Sequence, residues 1–300
     1  MYQYSVIQWL FFFYFYSFFG WCFESTYVSV KSRHLTNRGF MRGPFLPLYG
    51  SGAIMMLVIS MPFQDSLLLV YVAGFIGATV LEYITGVIME KLFKVRYWDY
   101  SGKPFNFQGQ ICLGSSIAWG FLTILMTEVV HRPFEYLVLS VPGSVLTVVT
   151  CVLTAGIAGD FALSFKAALD LRDVLIRMER AKEELMRIHK RLDVIVAFTG
   201  EELSGYKEGV IVRMEDLRDG IEEKLERLKS MTQSKHTESL SDVKEEVHEL
   251  DRKYASSVEE RQQLGVLKDF FQRGLIRSNP TMSSKKYAEA LEELKERLKR

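Results

Sequence analysis

Five apolar stretches within the first 165 residues qualify as transmembrane segments, and they constrain the fold more than any other feature. They run from about Tyr4 to Val30, Pro47 to Pro62, Ser66 to Met89, Ile111 to Val129 and Phe134 to Phe161. A helix needs about 20 apolar residues to cross the hydrocarbon core, so the second stretch is short. The sequence therefore predicts an all-α fold with a polytopic membrane domain of about five transmembrane helices.

Charge divides the chain near residue 165. Residues 1–165 contain 9 of the 37 Lys and Arg residues and 8 of the 36 Asp and Glu residues, so residues 166–300 hold 28 of each sign. We therefore predict a transmembrane domain over 1–165 and a charged helical region over 166–300. The balance of signs in that region argues against nucleic acid as a partner, because nucleic acid requires a basic face.

The basic residues of the membrane domain predict its orientation. They cluster between spans one and two, and again between spans three and four: Lys31, Arg33, Arg38 and Arg42, then Lys91, Lys94, Arg96 and Lys103. By the positive-inside rule both connections are cytoplasmic. The N-terminus is then outside and the charged tail cytoplasmic, as five spans require, in a multi-pass protein of the cell membrane.

Two glutamates, Glu24 and Glu82, lie inside these apolar stretches. A charged side chain at the centre of a membrane helix costs about 3 kcal/mol or more, so it marks a functional site by default. In the predicted orientation both carboxylates lie in the inner leaflet at similar depth. Glu82 continues along one helix face through Gly86 to Glu90.

The two cytoplasmic connections supply polar partners for these glutamates. The first is rich in glycine and proline, and it predicts a short or broken entry into span two at Gly43, Pro44, Pro47, Tyr49 and Gly50. Arg42 enters the membrane beside this break and is the favoured partner of Glu24 or Glu82. The complete predicted intramembrane polar pocket comprises Glu24, Arg38, Arg42, Glu82, Glu90, Arg96, Asp99 and Asn106.

This set of polar residues has two interpretations, and the sequence leaves both open. It forms either a pocket open to the cytoplasm that holds a substrate or a proton, or an ion-pair network that pins helices and loops together. We expect no catalytic, cofactor-binding or metal-binding residues, because the sequence contains no nucleophile elbow, no HExxH motif and no CxxC pair. The prediction is accordingly that the protein is not an enzyme.

An ordered series of motifs over residues 5–160 resembles one bacterial membrane family. The motifs are GWCFE at 20–24, RG at 38–39, GPFLPLYG at 43–50, EYITG at 82–86, WDYS at 98–101, NFQG at 106–109 and SIAWG at 116–120. The family is ABC-transporter type IV, or CmpB-like permease. The resemblance implies an integral membrane protein and a permease-like subunit. Because the chain has no G-x-x-x-x-G-K-[ST] phosphate loop, a separate subunit would be the ATPase.

The charged tail begins with a heptad pattern that is typical of a coiled coil. Its apolar positions are Leu171, Val174, Met178, Ala181, Leu185, Ile188, Leu192 and Ile195. Gly200, Gly205 and Gly209 interrupt the pattern, and residues 277–284 read as a polar linker. The seam needs a partner, which is either another subunit or the later helices folding back. We favour a homo-oligomer.

Two further functions compete with the permease-like subunit. In the first, the membrane domain only anchors the chain, and the coiled coil acts as a scaffold or sensor that recruits other proteins. In the second, which we favour least, the carboxylates and arginines at the inner interface modify a lipid headgroup by acid–base chemistry.

Overall fold

The computed structural model describes residues 4–198, 214–234, 241–265 and 270–299, and most of them are helical. The helices are α1 (Val6–Ser32), α2 (Pro47–Ser60), α3 (Leu67–Phe93), α4 (Leu113–Leu125), α5 (His131–Ser140), α6 (Gly143–Phe198), α7 (Met214–Ser234), α8 (Ser241–Leu264), α9 (Phe270–Ser278) and α10 (Ala288–Lys299). A 3₁₀ turn, Met61–Phe63, follows α2, and a π-helical segment, Met126–Val130, joins α4 to α5. The strands found in these ranges are a two-residue antiparallel pair, β1 (Asn106–Phe107) and β2 (Ile111–Cys112). The predicted all-α class is confirmed, whereas Gly200, Gly205 and Gly209 lie outside the described residues.

Within the described residues, four helical segments are long and apolar enough to cross a membrane. They are Val6–Ser32, Leu67–Phe93, Leu113–Ser140 and Gly143–Val196, and Pro47–Phe63 forms a shorter apolar helix. Most of each apolar window faces outward. An apolar surface of this extent suits acyl chains rather than water, so the structure agrees with a membrane protein.

The connection between the last two long segments differs from the prediction, which placed it at residues 131–133. Helix nevertheless continues through Pro133, although proline removes one backbone donor from the helix at that position. The π-helical segment ahead of it adjusts the helix to this change. The chain turns instead at Val141, which is extended (φ −80°, ψ 133°) because it precedes Pro142.

Helices α1 and α2 cross in close contact because two glycines lack the side chains that would separate them. A Cβ atom at Gly50 would lie 2.1 Å from the Ser17 Oγ and 2.5 Å from the Phe13 carbonyl oxygen. A Cβ atom at Gly20 would lie 2.3 Å from the Tyr49 Cβ. This crossing brings the first turn of α2 against the middle of α1.

The connections after α1 and after α3 meet at one end of the membrane helices. The Arg38 Nη2 donates to the Tyr97 carbonyl oxygen at 3.0 Å, and the Gly43 N–H donates to the Asp160 Oδ2 of α6 at 2.8 Å. Helix α2 packs on both α1 and α3, so it carries the chain from this end back to the start of α3. Its 14 residues span about 21 Å.

The chain divides into two compact units, and the division differs from the predicted one. The first, the membrane unit, comprises Met1–Arg172 and Lys268–Leu291; the second, the bundle unit, comprises Asp173–Leu267 and Glu292–Arg300. The membrane unit therefore includes a stretch near the end of the sequence. Residues 279–284, here called the returning segment, were expected in a polar linker, yet Asn279 and Met282 are each only 1% exposed.

The bundle unit buries much of the heptad seam within the chain itself. Its core joins residues of α6, α7 and α8: Leu185, Ile188, Leu192, Ile195, Val196, Leu217, Ile221, Leu225, Leu228, Val247, Leu250 and Tyr254. Arg191 pairs with Glu246, and the Ser257 Oγ donates to Glu184, so α8 runs antiparallel to α6. Of the two partners that the sequence left open for the seam, the later helices of the same chain cover much of it.

Candidate functional site

A cavity of about 340 Å³ lies in the membrane unit, where the connection after α1 meets α2, α3 and α6. One side of it, here called the polar wall, carries Glu24, Arg38, Tyr49, Tyr97 and Asn279. The remaining lining is mostly apolar and includes Leu46, Leu81, Ile88, Leu92, Phe93 and Phe161. A mostly apolar cavity with a few converging polar groups is the usual form of a small-molecule site, and typical volumes are about 300 to 1,000 Å³.

Arg38 connects the parts of the polar wall. Its Nε lies 3.7 Å from the Glu24 Oε1, and its Nη1 donates to the Asn279 Oδ1 at 2.7 Å. Its backbone N–H donates to the Ser25 Oγ of α1 at 3.1 Å. Burial lowers the pKa of Arg38, although the charge of Glu24 opposes the shift. Arginine nevertheless stays protonated in proteins, so the wall carries a buried cation beside a carboxylate.

Glu24 also accepts a hydrogen bond from α2. The Tyr49 Oη donates to the Glu24 Oε2 at 3.1 Å. Pro47 and Tyr49 were both predicted at a helix break, but α2 begins at Pro47, because proline suits the first position of a helix. Of the predicted break residues, Gly43 and Pro44 lie in irregular backbone, while Tyr49 and Gly50 lie within α2.

Arg42, the predicted partner of Glu24 or Glu82, lies elsewhere. Its guanidinium carbon is 3.6 Å from the ring centroid of Phe270 and 4.6 Å from that of Phe271. Stacking on two aromatic faces is a favourable arrangement for an arginine. The prediction of Arg42 as the partner is therefore wrong, and Arg38, four residues earlier, forms the ion pair with Glu24.

Glu82 is 5% exposed and does not line the cavity. The Tyr100 Oη donates to its Oε1 at 3.0 Å. The Ser115 Oγ and the Trp119 Nε1 donate to its Oε2 at 3.2 and 3.0 Å. Among the described residues it forms no ion pair, and three neutral donors satisfy its oxygens instead. This arrangement ties α3 to α4 and to the connection between them.

The other predicted pocket residues form a separate network around Arg96. The Arg96 Nη2 lies 2.9 Å from the Glu90 Oε2, and its Nη1 lies 3.4 Å from the Asp99 Oδ1. Burial raises the pKa of Asp99, but hydrogen bonds from Ser101 and the charge of Arg96 bring it below its usual range. Asn106 is exposed, and its Nδ2 donates to the Ser101 and Lys103 carbonyl oxygens. These residues fix the connection after α3, and none of them lines the cavity.

The returning segment contacts both the network around Arg96 and the connection that carries Arg38 of the polar wall. The Arg96 N–H donates to the Ser283 carbonyl oxygen at 2.7 Å, and the Ser283 N–H donates back to Arg96 at 3.0 Å. The Asn279 Nδ2 donates to the Gly39 carbonyl oxygen at 2.8 Å. Sequence reasoning missed two wall residues, Tyr97 and Asn279. Asn279 was missed because a polar, proline-containing stretch gives no sign of burial.

A second buried polar cluster lies around His131, which was expected in a connection between spans. His131 is fully buried, with the Tyr16 Oη 2.8 Å from its Nδ1 and the Tyr4 Oη 3.0 Å from its Nε2. Tyr4 also donates to Glu135. The sequence could have indicated that His131 lies within a helix only if the turn had been predicted at Val141.

Within the described ranges, no three His, Cys, Asp or Glu side chains lie close enough together to hold a metal ion. The polar wall can donate and accept hydrogen bonds and offers one charge of each sign. It can therefore bind and orient a small polar group, with apolar surface beside it.

No curated protein and no solved structure matches the chain. A family model described as "Putative ABC-transporter type IV" matches residues 11–165, which include Glu24, Arg38, Tyr49 and Tyr97 of the polar wall. The match confirms the resemblance drawn from the sequence motifs. Because this match covers more than half of its residues, the chain belongs to the family of that description.

Proposed function

We propose that the chain is a permease-like subunit of a membrane transporter and that the cavity beside Glu24 and Arg38 holds its substrate. The observation that carries this proposal is the cavity itself, which places a buried ion pair next to apolar walls inside a membrane unit. The family supports a transport role. Glu24 and Arg38 would orient the substrate, whereas Glu82, which is saturated by neutral donors, would have a structural role.

The orientation follows from the convergence of the basic connections. Arg38 and Tyr97 join the connections after α1 and after α3. Together with the last turns of these two helices, the connections carry eight of the nine basic residues in 1–165. Positive residues favour the cytoplasmic side. The cavity would then lie near the cytoplasmic face of the cell membrane. The short helix α2, second along the chain, would bring the number of spans to five. The N-terminus would be outside and the tail in the cytoplasm.

Energy for transport would come from a separate subunit. The sequence contains no phosphate-binding loop of the G-x-x-x-x-G-K-[ST] type, and the family points to an ATPase partner. A membrane unit of this size would work as a homo-oligomer. Its contacts would use surfaces other than the heptad seam, because α7 and α8 already cover much of that seam.

The proposal is tested by measuring how small molecules distribute between cells and medium when the chain is absent, present or altered. Cells that lack the chain would be complemented with wild type, Glu24→Gln or Glu82→Gln at matched membrane levels. Untargeted mass spectrometry would then give the ratio of each compound between medium and cells. We expect wild type to restore the ratio of at least one compound, Glu24→Gln to fail, and Glu82→Gln to restore it in proportion to the amount of folded protein.

Two outcomes would overturn the proposal. If no compound changes its ratio when the chain is removed, the chain does not transport, and the scaffold or sensor function takes its place. If Glu24→Gln restores the ratio as well as wild type does, transport does not depend on the polar wall. Glu82→Gln is the matched control, because both variants remove one intramembrane carboxylate charge.

A further inference from the structure

The cavity opens toward the lipid-facing surface of the membrane unit. Ile88 of α3 and Phe161 of α6 both line it, yet they are 50% and 44% exposed. On a membrane-spanning helix an exposed apolar side chain contacts acyl chains. A molecule dissolved in the bilayer can therefore reach the cavity from the side, without first entering water.

The size of the cavity fits only part of a lipid-like molecule. Its volume of about 340 Å³ equals that of roughly eleven water molecules in the liquid. This space holds a small headgroup and the first carbons of one chain. The rest of the chain would lie on exposed apolar side chains of α3, such as Leu92.

The charges of the polar wall select the headgroup. Glu24 and Arg38 carry opposite charges 3.7 Å apart, and the other polar side chains that line the cavity are neutral. A ligand with a net charge would bring an uncompensated charge into a poorly solvated site, which is strongly unfavourable. An uncharged headgroup avoids this cost.

One buried group of the wall calls for a hydrogen-bonding ligand. The Tyr97 hydroxyl is buried and has no hydrogen-bond partner among the described residues. Burial raises the pKa of Tyr97, so the hydroxyl is neutral and can both donate and accept. Leaving a buried hydroxyl without a partner costs more free energy than an ordinary hydrogen bond contributes. Because Tyr97 lines the cavity, a ligand hydroxyl would supply the missing partner.

We propose that the cavity binds a single-chain amphiphile with an uncharged, hydroxyl-bearing headgroup, which enters from the bilayer. This inference rests on the proposed function for its physiological meaning, because such an amphiphile would be the transported substrate. Binding can nevertheless be measured without transport. The probe is a monoacylglycerol with a photoreactive diazirine in its chain, added to the full chain in lipid nanodiscs.

Photolabelling tests the location and the class of ligand together. We expect mass spectrometry to find adducts concentrated on residues 81–92 of α3 and 161–165 of α6, and an excess of unmodified monoacylglycerol to suppress them. Ile88→Trp would fill the opening and reduce labelling about tenfold, which corresponds to about 1.4 kcal/mol of binding. Ile84→Trp is the matched control, because Ile84 lies one turn earlier, is 48% exposed and does not line the cavity.

Competitors with the same chain distinguish the headgroups. Lysophosphatidic acid and an alkylammonium ion should each compete less well than monoacylglycerol, and free glycerol should not compete. Equal effects of the two tryptophan variants, adducts spread evenly over the lipid-facing helices, better competition by a charged amphiphile, or competition by glycerol would each overturn the inference. Specific labelling without any change in cellular ratios would leave this binding site intact and remove only the transport role.

Discussion

Replacing Arg38 with leucine is expected to lower the stability of the membrane unit by about 3 kcal/mol. Removing one member of a buried ion pair typically costs about 3 to 5 kcal/mol, and the 25% exposure of Glu24 places this case at the lower end. The change also leaves the Asn279 Oδ1 and the Tyr97 carbonyl oxygen without their donor. Thermal unfolding of the purified protein in detergent measures the effect.

Arg42→Leu is the matched control for Arg38→Leu. Arg42 lies in the same connection and stacks on Phe270 and Phe271, an interaction worth about 0.5 to 2 kcal/mol. We expect Arg42→Leu to lower the unfolding temperature less than Arg38→Leu does. The reverse order would show that Arg38 does not connect the polar wall.

A double variant separates stability from ligand binding. Because Glu24 is left uncompensated in Arg38→Leu, adding Glu24→Leu should recover part of the lost stability. The double variant should still fail to restore the cellular ratios, since the polar wall has lost both charges. Recovery of both properties would mean that the ion pair serves only to hold the fold.

Asn279→Leu is expected to release the returning segment from the membrane unit. Asn279 accepts from Arg38 and donates to the Gly39 and Leu275 carbonyl oxygens. Each buried polar group left unsatisfied costs about 1 to 3 kcal/mol. Local opening should therefore expose the backbone near Lys285 and Lys286, where trypsin would cleave faster than in wild type.

Asn106→Leu provides the control for this cleavage experiment. Asn106 also makes three hydrogen bonds, to Ser101, Lys103 and Gly109, but it is exposed and lies outside the returning segment. Its replacement should leave cleavage at Lys285 and Lys286 unchanged. Similar cleavage rates in wild type and Asn279→Leu would show that Asn279 does not hold the segment.

Local patterns in the sequence predicted the helical class and one half of the ion pair. Apolar length identifies membrane helices without knowledge of their neighbours, and Glu24 stands out because a charge in such a helix is costly. The choice between Arg38 and Arg42 could not be made in this way. Both lie in irregular backbone, where spacing in the sequence does not fix the direction of a side chain.

The sequence patterns could not predict contacts between distant parts of the chain. Asn279 is 241 residues from Arg38, and its surroundings resemble an exposed linker in composition. The environment of Glu82 depends likewise on Ser115 and Trp119, which are 33 and 37 residues away. Sequence placed both glutamates at similar depth, but only the tertiary structure separates a cavity-lining carboxylate from one closed off by neutral donors.

Thiol accessibility tests most directly whether the region is an open cavity or a closed polar network. In a chain with Cys22, Cys112 and Cys151 replaced by serine, Thr85→Cys would line the cavity, whereas Ser116→Cys would lie buried, one residue from the Glu82 donor Ser115. An open cavity predicts that a small methanethiosulfonate reagent modifies Thr85→Cys rapidly, that monoacylglycerol slows this reaction, and that Ser116→Cys stays unmodified. Slow modification at Thr85→Cys, or equal rates at both positions, would contradict it.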